Sequence, residues 1–532
     1  MQTVSSQLTA ACSAYGQRPC LYVEFSWDRS GEIGDARGAT GWTNESQWVK
    51  ADRVQLAINP PGERLIAAGS VGSGRLDLWN REGRFSWQNP ASALYAHIGQ
   101  ANSPAGPIGV PVRIWRGYIT ANGAEYVCVF TGAVSGWKET AQFVVSFQVR
   151  DWGWIYMQNR LSLPVSRDQL PHQWIGTVAD EAGIAAGEMS LEVGVLPIPF
   201  VWMDKEGAVD EIWTTAEADG GMALFDQRGI LRYWNPLHFI GQAVVWDFAE
   251  DGYTLSEPDT DARQLATEVT VEWSPRFEGV DTDLYTLDEL RVLMPGETDT
   301  WEARFNYAAI EIYAPDAEDP YNDYHATSAG GADVTDNVAI TLLNSYGQAV
   351  EVQAVNNDAT QAARLTYLRL RGQPLVGGPS EEITVTVTPA PLPFPWQRTL
   401  RSNTLAGQGP WSERVQGNIY VQSKAQGSAL AELLAVRCRQ VRPIWTLRQV
   451  WGIPQLELGD LVRFVDTRTQ GSQAPVEALV VGITWGDEGG GGYIQTLRLM
   501  ELGDLSEHDD YFIIGTSELG DGPGADRGRL WY

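Results

Sequence analysis

The chain has 532 residues, 43% of them apolar and 20% charged, with 67 acids against 38 bases and a formal net charge of −29. Only four lysines are present (Lys50, Lys138, Lys205 and Lys424), and so acidic a chain disfavours tight binding to nucleic-acid phosphates. No run approaches the ~18 consecutive apolar residues of a membrane helix, and MQTVSSQLTAACSAYGQRPC lacks the basic start and apolar core of a secretory signal, so a soluble assembly made in a cytoplasm is expected.

At roughly 150 residues per domain the length predicts three or four domains. The 22 Trp, 19 Tyr and 14 Phe, set among 55 Gly and 28 Pro, favour short strands and tight turns over long helices. Residues 1–157 read as strand after strand. Leu21–Trp27, Arg53–Ile58, Arg75–Trp79, Val110–Ile119, Tyr126–Val134 and Gln142–Val149 alternate apolar and polar residues, the mark of strands with one buried face. Asn122-Gly123 supplies a hairpin turn between two of them.

Residues 158–260 are mixed. Pro171–Ala182 places Trp174, Ile175, Val178 and Ala182 at helical spacing, with Gly183 to end the helix. A second predicted helix, Ala208–Asp219, stops at Gly220-Gly221 and leads into a hairpin, Met222–Phe225 and Ile230–Trp234 around Asp226–Gly229. Residues 261–395 return to strands, beginning with Glu268–Trp273. Within them about 301–395 is predicted as an inserted small sandwich or barrel built on Ala308–Tyr313, Val338–Leu343, Ala349–Val355, Ala363–Leu370 and Glu382–Val387. That insert holds 12 acids against four arginines and ends in a stiff connector, Pro389–Pro395. Residues 396–502 carry a predicted helix, Ser428–Arg439, and strands Ile444–Val450, Leu461–Val465, Val476–Ile483 and Tyr493–Leu499; 503–532 form an acidic tail with one apolar patch, Tyr511–Ile514.

Each feature that suggests chemistry has a plainer reading. His97, His172, His238, His325 and His508 are far apart without ligand spacing, and neither G-x-S-x-G nor H-E-x-x-H occurs. Two acid clusters, Glu257/Asp259/Asp261 and Asp316/Glu318/Asp319/Asp323, supply carboxylate pairs that a glycosidase needs, and the second offers oxygen ligands for calcium; solvated loop acids explain both. Gly132–Thr140 is one residue short of a phosphate loop and reads as a turn between strands; Gly69–Gly74 precedes a strand rather than a helix, and Gly489–Gly492 reads as a hairpin tip. Trp115, Trp152, Trp154, Trp213, Trp234 and Trp445 sit in amphipathic patterns and are expected mostly in the core, the alternative being sugar-stacking platforms. Cys12 and Cys20 could close a small loop, but four scattered cysteines (with Cys128 and Cys438) are more often plain thiols, and no zinc pattern is present. No catalytic, metal-binding or cofactor-binding residue is assigned.

The order of features carries a resemblance. PVRIWRGYI and YVCVFTGAVSGW are followed by FVVSFQVRD, a glycine-closed helix, the helix–hairpin unit AVDEIWTTAEADGGMALFDQRGILRYW at 208–234 and PIWTLRQVWGIPQLELGDLVRFVD at 443–466. Over about 75–502 the sequence resembles the tail-tip (baseplate) hub proteins of tailed bacteriophages, most of all in the helix–hairpin unit and Leu456–Phe464. The resemblance implies a mainly β fold with some α+β: two tube-like β-barrel domains, at 1–157 and 396–502, plus mixed α/β and small β-sandwich modules. It also implies a non-enzymatic homotrimer in the virion tail tip that joins a sixfold tail tube to threefold tip or fibre proteins. Its implied partners are the tail tube or distal tail protein, the tape measure protein and DNA in transit without specific binding. Much of the −29 charge is then expected to face a channel. The other reading is a carbohydrate-binding or carbohydrate-active β-protein of a virion or cell surface; a third, a secreted adhesin, is disfavoured by the missing signal.

Overall fold

The computed structural model describes residues 1–14, 18–58, 67–68, 71–99, 105–140, 143–248, 255–259, 268–318, 322–386, 412–415, 417–438, 443–465, 475–486 and 493–501. The fold is mainly β, with a few helices packed in the middle of the chain. No helix among the described residues is long and apolar enough to cross a membrane.

The period-two stretches at the two ends of the chain enter one 13-stranded sheet. From the N-terminal side it runs through Pro19–Phe25, Pro111–Thr120, Gly123–Thr140, Val144–Asp151, Ser73–Trp79 and Val49–Ile58; the C-terminal side continues with Pro475–Trp485, Ile494–Glu501, Ile444–Trp451 and Leu255–Asp259. The halves meet where Leu56, Ala57 and Ile58 pair antiparallel with Trp485, Thr484 and Ile483. The two strand-rich regions, predicted as separate tube-like barrels, thus share a sheet, and among the described residues that sheet is open rather than closed. They also share a core: Val54, Leu56, Leu76 and Phe147 pack in the same cluster as Leu447, Ile483, Trp485 and Leu497.

Two tyrosines and one arginine fasten the seam. Tyr118 donates its hydroxyl to the Gly452 carbonyl at 2.6 Å, and Tyr493 donates back to the Gly117 carbonyl at 2.7 Å. Between them the fully buried Arg116 guanidinium lies over the Trp485 ring, 4.9 Å from its centroid. Burial lowers its pKa to about 10, which still leaves it cationic at neutral pH.

A second core belongs to the middle of the chain. Helix Pro171–Glu181 buries Trp174, Ile175 and Val178, on the apolar stripe read from the sequence, and helix Ala208–Ala218 buries Val209, Ile212 and Ala216. Helix Lys424–Cys438, predicted alongside the C-terminal strands, contributes Leu430, Leu433 and Leu434 to this middle core instead.

The β module has a third core of its own, including Leu293, Trp301, Val352, Leu365 and Leu370. Its strands run from Arg276 to Gly377, around the 15-residue strand Ala363–Gly377. The chain leaves the middle domain along Glu268–Trp273 and returns along Glu381–Thr386, and these two strands pair antiparallel from Trp273↔Glu381 onward. Ser274 and Ser380 then share a hydrogen bond of 2.6 Å. This is the geometry of an insertion at the tip of a hairpin. Val387 and the connector Pro389–Pro395 lie outside the described residues.

Candidate functional site

The two sequence elements that carry the resemblance, far apart in the chain, are in contact. In the turn of the helix–hairpin unit, Asp226 accepts from the backbone N–H groups of Arg228 and Ile230 at 2.9 and 3.0 Å and from Arg232 Nε at 2.8 Å. Gly229 closes that turn at φ 82°, pressed so near Thr131 and Ile33 that a Cβ would crowd them. The neighbouring Gln227 donates to the Leu456 carbonyl at 3.0 Å and is packed on Cys128. Leu456 opens the Leu-Glu-Leu-Gly-Asp loop, where Gly459, at φ 81°, lies under the Trp234 ring.

The amino-terminal segment completes the junction. Gln2 bonds the carbonyls of Gln455 (2.9 Å) and Cys128 (2.8 Å), and the Met1 amino group is paired with Asp460 and, at 3.4 Å, with Glu457. Burial raises the pKa values of Glu457 and Asp460, opposed by the amino group and Arg232. Asp226, Glu457 and Asp460 line a cleft of about 320 Å³ together with Arg232 and Met1, and Arg228 pairs with Asp226 and Glu457 beside it. Acids and bases are therefore matched in pairs. Such an arrangement holds three chain segments together; it supplies no nucleophile activated by a base.

The middle core contains two more buried carboxylates. Glu211 accepts from Trp174 Nε1 at 2.6 Å and shares a hydrogen bond with the Tyr420 hydroxyl, whose oxygen also lies 2.8 Å from the Trp202 carbonyl. Burial raises Glu211 to about 7, although the hydrogen bonds from Tyr420 and Trp174 oppose the shift. Asp219 is raised to about 6 in the same way, and accepts from Tyr233 and from the N–H groups of Val195 and Leu196. A carboxyl raised on folding binds more protons folded than unfolded, so it lowers stability as pH rises from its unfolded value through its folded one. Glu211→Gln keeps the acceptor but cannot ionise. In urea melts at pH 5 and pH 8, the variant should lose less stability between the two than the parent, by on the order of 2–3 kcal/mol. Equal losses in both proteins would show that Glu211 does not titrate in this range.

The residues weighed for other chemistry are dispersed. His172 accepts from the Gly194 N–H at 3.1 Å, His238 meets Glu192 at 2.6 Å and stacks on Trp234, and His325 bonds Thr366 at 3.2 Å. His97 lies on a short helix elsewhere and His508 is outside the described residues. In the second acid cluster Asp323 is buried and committed to two arginines, Arg371 (2.7 and 2.8 Å) and Arg369 (3.0 Å). Burial would raise its pKa, but those bonds and the Asp316 N–H outweigh it and hold Asp323 below the usual carboxylate range. It is thus no open ligand or acid catalyst. Asp319, and Asp261 of the first cluster, lie outside the described residues. Among the described residues no three His, Cys, Asp or Glu side chains gather as a metal site.

The glycine-rich stretches serve strands. Gly132–Thr140 lies inside strand Gly123–Thr140 rather than in a turn, and a Cβ on Gly132 would strike the Arg150 carbonyl. The end of Gly69–Gly74 enters strand Ser73–Trp79, while Gly489–Gly492 is outside the described residues. Trp234 and Trp445 are buried; Trp115, Trp152, Trp154 and Trp213 are half-buried. Among the described residues Cys12, Cys20 and Cys128 form no disulfide, so Cys12 and Cys20 close no loop.

The sequence reading missed the ion pairs that stiffen the N-terminal strands. Glu24 and Arg113 are almost fully buried and 2.7 Å apart, and buried Glu45 meets Arg84 at 2.6 Å. The available signal was a charged residue inside each apolar run, Glu24 in LYVEF and Arg113 in VPVRIW.

No family model and no curated protein matches this sequence. Comparison with solved structures finds matches along nearly the whole chain. The chain is similar to phage tail proteins. The 43 kDa tail protein of prophage MuSo2 from Shewanella oneidensis is 10% identical, covers 91% of this chain and 98% of its own, and has a TM-score of 0.43. The tail protein from Neisseria meningitidis MC58 is 8% identical over 92% of this chain and 98% of its own, with a TM-score of 0.45. Prophage tail protein gp18 from Listeria monocytogenes EGD-e is 7% identical over 90% and 94%, with a TM-score of 0.40.

Proposed function

We propose that this chain is a structural, non-catalytic hub of a phage tail tip: a homotrimeric adaptor in the virion between a sixfold tail tube and threefold tip or fibre proteins. The observation that supports this reading most is the seam. Two strand-rich regions lie edge to edge in one open sheet and share a core, so each chain offers two adjacent β units whose outer edges are unpaired among the described residues. Three copies joined head to tail through such edges would present six units around an axis, a closed ring. The edge strands fit this use. Thr43–Asn44 and Leu255–Asp259 are short, and the second contains Pro258, which limits indiscriminate pairing.

In this reading the partners above the ring are the tail tube or distal tail protein and the tape measure protein, and DNA crosses the ring without specific binding. Assembly takes place in the cytoplasm of the bacterial host. Light scattering on the purified chain tests the ring: the expected mass is three times the 58.5 kDa of one chain. A stable monomer at high concentration, with no ring on co-expression with a tube protein, would refute it.

A further inference from the structure

The outward face of the large sheet is cationic, although the chain as a whole is strongly acidic. Strand register places its side chains in rows. Lys138 lies opposite Ser146 and Asp77; Gly136 opposite Gln148, which opposes Arg75 and Gln55; and Arg150 opposite Ser73, which leads to Ala57 and Thr484 across the seam. Beyond the seam Thr484 opposes Thr496, followed on the same strand face by Arg498. Lys138, Arg75, Arg150 and Arg498 are all exposed. Of the acids in these rows, Asp77 is buried beneath Arg75, 2.9 Å from its Nε, and Glu257 stands at the far edge, two strands beyond Arg498 and opposite Thr446. A groove of about 500 Å³ runs over this face, lined by Arg75, Arg150, Gln148, Thr484 and Trp485 among others.

From these observations we infer that the groove is the docking site of the chain's own acidic C-terminal segment, residues 502–526. That segment has seven acids and neither lysine nor arginine, so its charge complements the face. Its starting point also fits. Glu501 ends the last described strand opposite Ala478, while the groove lies near Thr484 and Trp485 on the same partner strand. At ~3.3 Å per residue these points are roughly 20 Å apart, and the 13 residues 502–514 reach about 40 Å when extended. Arg150 also lies four strands across the sheet from Thr496, so it is roughly 25 Å from Glu501. Asp509 and Asp510 can reach it, with Glu507 between it and Arg498, followed by Tyr511–Ile514. Tethering holds the segment at an effective concentration in the millimolar range, enough for contacts that would be weak between separate molecules.

Carbodiimide cross-linking of the full chain, read by mass spectrometry, tests this directly because Lys138 is the lysine on the face. The expected product joins Lys138 to an acid in 502–526. It should fall at least tenfold in 0.5 M salt, and likewise in the Arg150→Glu/Arg498→Glu double variant. Equal mixtures of light and heavy-isotope chains should give unmixed cross-links; mixed ones would assign the groove to a neighbouring copy and overturn the proposal. A cross-link formed mainly at Lys50, Lys205 or Lys424 would also overturn it. Independently, a 502–526 peptide should bind the chain truncated after Glu501, and much less the full chain. Failure to bind the folded, truncated chain at millimolar concentration, or duplex DNA binding the face equally in both forms, refutes the docking.

Discussion

Trp485→Ala is expected to destabilise the protein by about 3–5 kcal/mol, the range for deleting a buried aromatic side chain from a core that only partly collapses. Trp485 is fully buried and stands at the seam, paired with Leu56 on one side and Gln495 on the other. Gly452 and Tyr493 close over its ring and the Arg116 guanidinium rests on it. Its removal therefore leaves a void beside a buried cation, at the place where residues over 400 positions apart are joined. Trp445→Ala is the matched control, since Trp445 is also buried but packs on Phe464 within the C-terminal half. Both variants should lose stability in urea. In the proposed trimer, only Trp485→Ala should lower the trimer content read by light scattering, because only it loosens the join between the two β units. Equal trimer loss in the two variants would mean that assembly follows global stability rather than the seam.

The sequence discloses local elements better than their partners, for physical reasons visible at particular residues. The alternation in Leu21–Trp27, Val110–Ile119 and Gln142–Val149 marks strands because one face of each is buried by the same core. Both middle helices carry an apolar stripe at helical spacing, and the hairpin at 222–234 is announced by its turn residues. Strands Arg160–Gln169 and Ile198–Gly207 escape such a reading. Each contains a proline, and their pairing with one another is broken by two bulges. Helix Ser6–Ser13 lacks a strong apolar stripe; its one legible signal is Ser5, whose hydroxyl caps the Leu8 N–H at 3.0 Å.

What no local pattern encodes is the seam. Val49–Ile58 and Pro475–Trp485 each look like ordinary half-buried strands, and nothing in either specifies the other as neighbour. Separate barrels are what the resemblance implies for the two strand clusters at opposite ends of the chain, and the single sheet is a tertiary fact. The junction of Asp226–Gly229 with Leu456–Asp460 is similar: its residues are legible one by one, but not their contact. Charge is a third case. A net −29 suggests an acidic lining for a channel, yet the outward rows of the sheet carry Lys138, Arg75, Arg150 and Arg498, while 12 acids lie in residues 301–395. Total charge does not reveal which face bears it.

The buried Glu24–Arg113 pair gives the second large effect. Glu24→Ala should cost about 3–5 kcal/mol, the expected loss when one partner of a buried ion pair is removed and the other is left charged. Glu24 accepts from Arg113 Nε at 2.8 Å, from Trp115 Nε1 at 2.9 Å and from the Gly38 N–H at 3.0 Å. Arg113 also donates to the carbonyls of Ile33, Asp35 and Ala36 and lies 3.8 Å from the centroid of the Trp42 ring. The pair thus fixes the 31–42 loop onto the strand Pro111–Thr120. Removing the carboxylate leaves three donors unmet, whereas the double change Glu24→Leu/Arg113→Leu removes both charges together. That double variant should recover much of the stability in urea, since a hydrophobic pair carries no desolvation cost. It should not recover protection of the loop against proteolysis, because the carbonyls of Ile33, Asp35 and Ala36 would have lost their donor. If the double variant is as unstable as Glu24→Ala, the cost lies in the loop contacts rather than in the stranded charge. A loop equally resistant to protease in the parent and both variants would show that Arg113 does not hold it.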